Sequence, residues 1–235
     1  MSDQRVAIVT GASQGLGAGI AAAYRNLGYA VVGTSRNISQ SNDADFVTVA
    51  GDLADPDTAK RVTDTALERF GRIDTLINNA GIFIAKPFTD YTTEDYERML
   101  GVNVGGFYRL TQHVIDPMLA QGGGLIVNIT TTLVESARSD VPSVLASIAK
   151  GGISAATKSL AIEYAERGIR VNAVSLGMID TPLHGGATDE QLGSFHPNKR
   201  AGKVDDIVRG VLFLEQSPFV TGDILHIDGG QSAGR

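Results

Sequence analysis

The sequence contains no cysteine among its 235 residues, which excludes disulfide bonds, thiolate metal sites and cysteine nucleophiles. No apolar run reaches the roughly 18–20 residues that span a bilayer. No basic block offsets the formal net charge of −6, which argues against nucleic acid as a partner. The first residues show no signal-peptide pattern. We therefore expect a cytoplasmic protein that has no metal site and acts on a small molecule, without nucleic-acid or membrane partners.

The apolar and charged fractions, 43% and 20%, are those of an ordinary globular protein, and no linker or repeat divides residues 1–235, so we expect a single domain. Short β-branched runs alternate with longer helical patterns, one of them interrupted at Pro117. The runs show no polar alternation, so both faces of the sheet should be covered by helices. The expected class is a doubly wound α/β fold. The expected strands are residues 6–10, 30–34, 46–49, 75–78, 125–129, 169–174 and 224–227.

A glycine-rich turn joins the first strand to the first helix. From position 10 to 17 it reads Thr-Gly-Ala-Ser-Gln-Gly-Leu-Gly. Glycines allow the backbone to approach a phosphate closely, and the helix N-terminus offers free N–H donors with a partial positive charge. We therefore expect the pyrophosphate of a dinucleotide here. The residues expected to contact it are Gly11, Ser13, Gln14, Gly15, Leu16 and Gly17.

This turn resembles that of the short-chain dehydrogenase/reductase family, and other motifs of the family follow in order. Asn-Asn-Ala-Gly occupies 78–81, Arg-Val-Asn-Ala-Val 170–174, Thr-Pro 181–182, Phe-Val-Thr-Gly 219–222 and Asp-Gly-Gly 228–230. The resemblance extends from residue 6 to residue 230 and is nearest to the 3-oxoacyl reductases. It implies a Rossmann-type parallel sheet of about seven strands in the order 3-2-1-4-5-6-7, with helices on both faces.

The resemblance also implies which other residues bind a nicotinamide cofactor. They are Asp52 and Leu53 at the adenine, Asn79, Ala80 and Gly81 after the fourth strand, Lys150 at the ribose, and Ile179 and Thr181 on the nicotinamide side. The second strand ends in Ser35 and Arg36, where an acid often contacts the ribose in NAD enzymes. Arg offers bidentate donors to a 2′-phosphate, so we expect NADP(H) to be the preferred cofactor. Use of NAD(H) remains possible.

In the family, as the resemblance implies, a Ser-Tyr-Lys set and a helix Asn carry the proton chemistry. Asn103 and Lys150 are present, and Thr131 aligns with the Ser, although three consecutive threonines also suit the end of a β-strand. The Tyr position, four residues before the Lys, is Ala146. No tyrosine lies between Tyr108 and Tyr164, so a small alignment shift cannot supply one.

Helical spacing offers replacements for the missing phenol. Ser147 and Ser143 lie three and seven residues before Lys150 and can share its helix face. A hydroxyl can relay a proton, whereas Lys150 itself can act as the acid if burial lowers its pKa. Further candidates from flanking loops are Glu135, Asp140 and His184, each of which is also explained as a solvated side chain.

Three functions remain open. The leading interpretation is an NADP(H)-dependent oxidoreductase with an atypical proton-transfer group, in which Asn103, Thr131, Ser147 and Lys150 are the candidate catalytic residues. Loss of a general acid favours an activated acceptor, such as a dicarbonyl, quinone or imine, over a plain ketone. The alternative is a catalytically inactive nucleotide-binding sensor or partner subunit. A lyase or isomerase on the same scaffold is the third.

The resemblance also implies a homotetramer or homodimer formed through the long helices that follow residues 101 and 144. The small residues Ala155, Ala156 and Ser159 would let such helices approach closely. Residues 183–203 form the longest interruption between regular elements, and long loops often close over ligands. We expect this segment to be a substrate lid.

Overall fold

The computed structural model describes residues 4–234 and places seven parallel strands in one sheet, in the order β3-β2-β1-β4-β5-β6-β7. The strands are β1 Val6–Thr10, β2 Ala30–Ser35, β3 Phe46–Ala50, β4 Thr75–Asn78, β5 Gly124–Thr131, β6 Ile169–Leu176 and β7 Ile224–Ile227. The helices are α1 Gly15–Asn26, α2 Pro56–Phe70, α3 Thr93–Met99, α4 Gly106–Ala120, α5 Val144–Tyr164, α6 Asp189–Gly193 and α7 Val204–Gln216. The expected fold and strand order are confirmed.

Helices cover both faces of the sheet. Alternate strand residues point to opposite sides of it, and here the residues on both sides are apolar and buried. Ala7 and Val9 of β1 belong to one buried cluster, which contains residues of α1 and α7. Val6 and Ile8 belong to a second cluster, with residues of α2, α4 and α5. Runs of β-branched residues that are apolar on both faces therefore form a doubly covered sheet. Within residues 4–234, no helix is both long enough and apolar enough to cross a bilayer.

The order of the strands reverses between β1 and β4, which are neighbours in the sheet although two strands intervene in sequence. In open parallel sheets, ligands bind beyond the carboxyl ends of the strands at such a reversal. The glycine-rich turn follows β1, and the Asn-Asn-Ala-Gly motif begins at the end of β4. The fold therefore brings both motifs to one edge of the sheet.

Two helical details differ from the expectation. Helix α4 continues through Pro117 to Ala120, so the predicted interruption at Pro117 is wrong. Proline forfeits the bond to the carbonyl of His113, an exposed residue about two turns before the helix end, where water can replace it. Residues 183–203, expected as a loop, contain α6, which begins with a reciprocal capping box between Thr188 and Gln191.

The opposite, amino-terminal edge of the sheet is held by one carboxylate. Glu215 of α7 accepts hydrogen bonds from the hydroxyls of Tyr24 (2.8 Å), Tyr29 (2.7 Å) and Thr75 (2.8 Å). Burial, followed by the proximity of Glu215, raises the pKa of Tyr24 well above its usual value, so its phenol stays a donor. Glu215 therefore ties α7 to α1, to the residue before β2, and to β4.

Candidate active site

A cavity of about 610 Å³ opens at the carboxyl edge of the sheet, above the strand reversal. It extends from Arg36 beyond β2, across the glycine-rich turn, to Lys150 on α5 and the segment after β6. Every residue of the predicted cofactor set lines it, from Gly11 to Thr181. The structure therefore brings the whole predicted set together in one cleft.

The glycine-rich turn has the geometry of an anion cradle. Gly11 and Gly15 have φ of 70° and 56°, which side chains rarely adopt. A Cβ on Gly17 would lie 2.2 Å from the carbonyl oxygen of Gly11, so a side chain would displace the turn. The N-cap residue of α1, Gln14, makes no side-chain capping bond, and the first turn carries no acid. The N–H groups there are available to an external anion.

One hydroxyl fastens this turn to the end of β4. The Thr10 hydroxyl donates to the carbonyl of Ile77 (3.2 Å) and accepts from the N–H groups of Asn79 (2.9 Å) and Ala80 (2.8 Å). The Asn79 amide donates back to the Thr10 carbonyl at 2.8 Å. The Asn-Asn-Ala-Gly motif thus has a local structural task, because it fixes the two ends of adjacent strands at the floor of the cavity.

The far end of the cavity presents Ser35, Arg36 and Asp52. The Ser35 hydroxyl is buried and has no hydrogen-bond partner within residues 4–234, while Arg36 is exposed. Asp52 is occupied as an acceptor for the N–H of Ala54 (2.9 Å). The exposed guanidinium of Arg36 suits a phosphate at this end of the cavity, whereas the Ser35 hydroxyl oxygen is inaccessible to solvent.

At the other end, Lys150 directs its ammonium to the carbonyl of Ile129 at 2.8 Å. The residue retains some exposed surface, yet desolvation of its ammonium lowers its pKa to about 8. Ala146, one turn earlier on α5, also lines the cavity and is almost completely buried. The methyl group of Ala146 has no acidic proton, so the ammonium of Lys150 is the acidic group that α5 presents here.

Thr131 is the threonine whose proton remains available to a ligand. The hydroxyls of Thr130 and Thr132 donate to carbonyls of β6, at 3.3 and 3.1 Å. Thr131 instead accepts from the N–H of Leu133 at 3.3 Å, and its side chain lines the cavity. Within residues 4–234 its hydroxyl has no acceptor, so it can donate into the cavity.

Two residues of the predicted catalytic set do not line the cavity. The Asn103 amide donates to the carbonyls of Ile82 and Met99, each at 3.0 Å, and accepts from the N–H of Ile82 at 3.2 Å. Its side chain therefore holds the segment after β4 to the π-helical turn Leu100–Gly105. Ser147 donates to the carbonyl of Leu133 at 3.3 Å, outside the cavity wall.

Of the three loop candidates, only His184 lines the cavity. Glu135 accepts from Ser175 at 3.4 Å and lies 3.6 Å from His226, away from the lining residues. Asp140 pairs with Arg138. Burial lowers the pKa of His184, against the opposing effect of Asp180, so its imidazole is neutral near pH 7.

The sequence reasoning missed several residues around the cavity. Phe195 and Gln231 line it, from residues 183–203 and from the C-terminal tail. His196 is buried and bonds to the backbone of Met178, before that segment, and of Arg200, within it. No spacing pattern singles these residues out, although the Asp-Gly-Gly turn before Gln231 was visible. Fold and cavity together define a Rossmann-type α/β protein.

Comparison with known proteins identifies the family. A sequence model described as Enoyl-(Acyl carrier protein) reductase matches residues 11–232. The 2-dehydro-3-deoxy-D-gluconate 5-dehydrogenase of Bacillus subtilis is 35% identical over 96% of this chain and 94% of its own. The chain belongs to the short-chain dehydrogenase/reductase family of oxidoreductases and is homologous to its 3-oxoacyl-(acyl-carrier-protein) reductases.

Solved structures agree with this assignment. The 3-ketoacyl-(acyl-carrier-protein) reductase of Brucella melitensis, complexed with NADH, is 30% identical with a TM-score of 0.89 and covers 97% of this chain and 98% of its own. ElxO with NADP bound is 28% identical with a TM-score of 0.90 and covers 98% of this chain and all of its own. The fold of this chain is therefore shared by proteins that bind either nicotinamide dinucleotide.

Proposed function

We propose that this protein is an NADP(H)-dependent oxidoreductase that reduces a carbonyl-like or other activated acceptor with Lys150 as its proton donor. The observation that carries the proposal is the arrangement of three side chains at one end of the cavity. Lys150, Thr131 and Ala146 line the cavity together, and Ala146, which we align with the family's tyrosine, offers only a methyl group. The ammonium, with its lowered pKa, is thus the strongest available acid there.

The cavity suits NADP(H). The turn after β1 leaves N–H donors free for the pyrophosphate, and its glycines prevent a side chain from filling the cradle. The exposed Arg36 suits a 2′-phosphate, and the neighbouring Ser35 brings no negative charge that would repel it. Homologous structures hold NADP in one case and NADH in another, so NADH use is retained as the minor alternative.

When bound, the nicotinamide supplies a hydride to the acceptor carbon. Thr131 donates a hydrogen bond to the acceptor oxygen and polarises the C=O bond. The Lys150 ammonium transfers its proton to that oxygen as the carbon gains the hydride, which gives an alcohol and leaves a neutral amine that water reprotonates. An ammonium whose pKa lies near the working pH is suited to this transfer. A dicarbonyl, quinone or imine needs less help from an acid than a plain ketone does.

The test measures NADPH oxidation with ketones, diketones, quinones and imines, beside NADPH binding. We expect turnover of the activated classes, and we expect Lys150→Met to lower kcat/KM by about 10²-fold or more. Lys158→Met is the matched control, because Lys158 is exposed on the same helix. Tight NADPH binding without turnover of any class would instead favour the nucleotide-binding sensor or partner subunit, which the missing phenol of Ala146 also supports.

We further propose that the chain is a single domain that assembles in the cytoplasm as a homotetramer or homodimer through α4 and α5. The outer face of α5 supports this, since Ile148 and Ile162 are exposed apolar residues and Ala155 and Ser159 between them are small. Residues 183–203 are proposed as the lid, because Leu183, His184 and Phe195 line the cavity. Light scattering of the purified protein measures the assembly directly.

A further inference from the structure

Arg138 contacts a residue of the proposed lid through the flat face of its guanidinium group. The guanidinium carbon lies over the Phe195 ring, 4.5 Å from its centroid. The Asp140 carboxylate accepts from Nε (2.9 Å) and Nη2 (2.5 Å), and these in-plane bonds leave the flat face of the guanidinium to the ring. The Arg138 side chain is 15% exposed, so this cation–π contact is largely withdrawn from water and correspondingly strong.

Arg138 supports the cavity wall from behind. Phe195 lines the cavity, whereas Arg138 is not among the described residues that line it. Val141, another lining residue, donates its N–H to the Arg138 carbonyl at 3.3 Å. The neighbouring Pro142 carbonyl accepts from the Lys86 N–H at 3.0 Å, which fixes this part of the chain to the segment after β4. One anchored residue outside the cavity therefore adjoins two apolar residues of its wall.

The segment that carries Arg138, residues 132–143 between β5 and α5, lies at the Lys150 end of the cavity. Near its start, the Leu133 carbonyl accepts from the hydroxyl of Ser147 at 3.3 Å. Ser147 precedes Lys150 by three residues on α5, so this bond fastens the segment to the helix that presents the ammonium. The ring contact therefore acts where we place the acceptor.

The cavity wall at this end combines polar and apolar residues. The polar ones are Thr131, Thr181 and His184, and the apolar ones are Leu133, Val141 and Phe195. Polar groups serve the reacting oxygen of an acceptor, whereas apolar surface serves a hydrocarbon substituent. An aromatic ring that is already held in place adds contact area without the entropy cost of ordering it when the acceptor binds.

We propose that Arg138 is a positioning residue, which holds Phe195 in place as a preformed contact for an aromatic substituent of the acceptor. The proposal rests on the reductase function proposed above and narrows its acceptor to a carbonyl compound with an aromatic group beside the reacting carbon. Arg138 acts through the Phe195 ring and touches neither the acceptor nor the cofactor.

The test compares butane-2,3-dione with 1-phenylpropane-1,2-dione, two diketones that differ by a methyl or a phenyl group, in the wild type and in Arg138→Met. The variant removes the guanidinium and keeps an unbranched side chain. We expect KM of the phenyl diketone to rise by about 5–30-fold, which corresponds to the strength of a cation–π contact, while its kcat and the KM of butanedione change less than about twofold. Arg138→Lys retains a cation and should restore much of the affinity.

Two further variants connect the effect to the ring. In Phe195→Leu the phenyl diketone should bind at least as poorly, and adding Arg138→Met should change KM no further, because the contact is already absent. Arg167→Met is the matched control, since it removes a contact of the same kind, 4.2 Å from the centroid of the Tyr164 ring, at an exposed position just beyond α5. Arg167→Met should leave KM of both diketones unchanged.

Three results would overturn the proposal. Equal rises of KM for both diketones would assign Arg138 a general structural role, and an unchanged KM would leave it without one. Additive losses in the double variant would show that Arg138 does not act through Phe195. If the wild type reduces neither diketone, the proposed function fails by itself. Hydrogen exchange in residues 189–196 then tests the positioning: about 5–30-fold faster exchange is expected in Arg138→Met, and unchanged exchange would contradict it.

Discussion

The imidazole of His196, within residues 183–203, binds the backbone of Met178. Its Nε2 accepts from the Met178 N–H at 2.8 Å, and its Nδ1 lies 2.6 Å from the carbonyl of Arg200. A backbone N–H can only donate and a carbonyl can only accept, so the imidazole is neutral and carries its proton on Nδ1. The ring thereby connects the end of the lid to the segment that continues to Ile179 and Thr181 in the cavity wall.

The first prediction follows from this connection. His196→Leu keeps much of the side-chain volume but leaves the Met178 N–H and the Arg200 carbonyl unpaired. We expect NADPH binding to weaken by about tenfold, because an unpaired buried group costs about 1–3 kcal/mol and the segment can relax away from it. Fluorescence titration with NADPH measures the change. His113→Leu, on the exposed face of α4, should bind NADPH normally; equal weakening in both variants would contradict the prediction.

The second prediction concerns pH. Burial lowers the pKa of Lys150 to about 8, so the ammonium is the main form below that pH and the neutral amine above it. Reduction requires the proton, so its kcat/KM should be level below about pH 8 and fall tenfold per pH unit above it. Oxidation of the alcohol requires the amine, so its kcat/KM should rise tenfold per pH unit up to about pH 8 and be level above it. Stopped-flow profiles in both directions test this, and a reduction rate level to pH 10 would rule out Lys150 as the acid.

The third prediction concerns the choice of cofactor. Arg36→Leu removes the guanidinium beyond β2 and should weaken NADPH binding by about tenfold or more, while NADH binding changes little, because a charge-assisted bond is worth about 1.5–3 kcal/mol. Ser35→Asp should repel the 2′-phosphate and favour NADH. Arg69→Leu, exposed on α2, is the control. Equal loss of both cofactors in Arg36→Leu would contradict the assignment.

The fourth prediction concerns the introduction of a phenol beside Lys150. Ala146→Tyr places a hydroxyl one turn before Lys150, where the ammonium can assist its ionisation. We expect reduction of plain ketones to rise by about 10²-fold, the lower end of the contribution of a positioned acid. Ala146→Phe adds the same ring without the proton and should give no gain. If the two variants behave alike, the added volume governs the result, and proton supply does not limit the rate.

The fifth prediction concerns stability. Glu215→Ala removes the acceptor shared by Tyr24, Tyr29 and Thr75. We expect the free energy of unfolding to fall by about 3 kcal/mol, because several buried hydroxyls lose their partner. Urea denaturation measures it, with Glu68→Ala as the exposed control on α2. A loss below about 1 kcal/mol would show that water replaces the carboxylate.

The fold could be predicted because its determinants are local and ordered. β-branched runs without polar alternation, separated by helical patterns, predict a parallel sheet. The glycine-rich turn at 10–17 indicates that the ligand binds at the carboxyl end of the first strand. The sequence Thr188 to Gln191 has the spacing of a capping box, which is typical of a helix start and corresponds to the start of α6. The continuation of α4 through Pro117 could not be predicted, because it depends on the small free-energy cost of one lost hydrogen bond near a solvated helix end.

The site could be predicted only where the backbone determines it. Helical spacing puts Ser147 near the helix face of Lys150. It cannot show that the carbonyl of Leu133 lies opposite and accepts the hydrogen bond of the Ser147 hydroxyl. Asn103 was found by its motif, whereas its occupation by backbone groups emerges from the π-helical turn around it. Gln231 gives no pattern in sequence, because its place in the cavity wall depends on the path of the turn beyond β7.

Glu215 has a consequence for how the molecule opens. Because one carboxylate serves hydroxyls from three segments, α7 cannot detach without all three losing their acceptor together. Amide hydrogens at the amino-terminal edge should then exchange with solvent only through global unfolding. Residues 183–203, the proposed lid at the other edge, contribute none of these hydroxyls and can exchange through smaller openings. Ligand turnover can therefore proceed at one edge of the sheet without loosening the other.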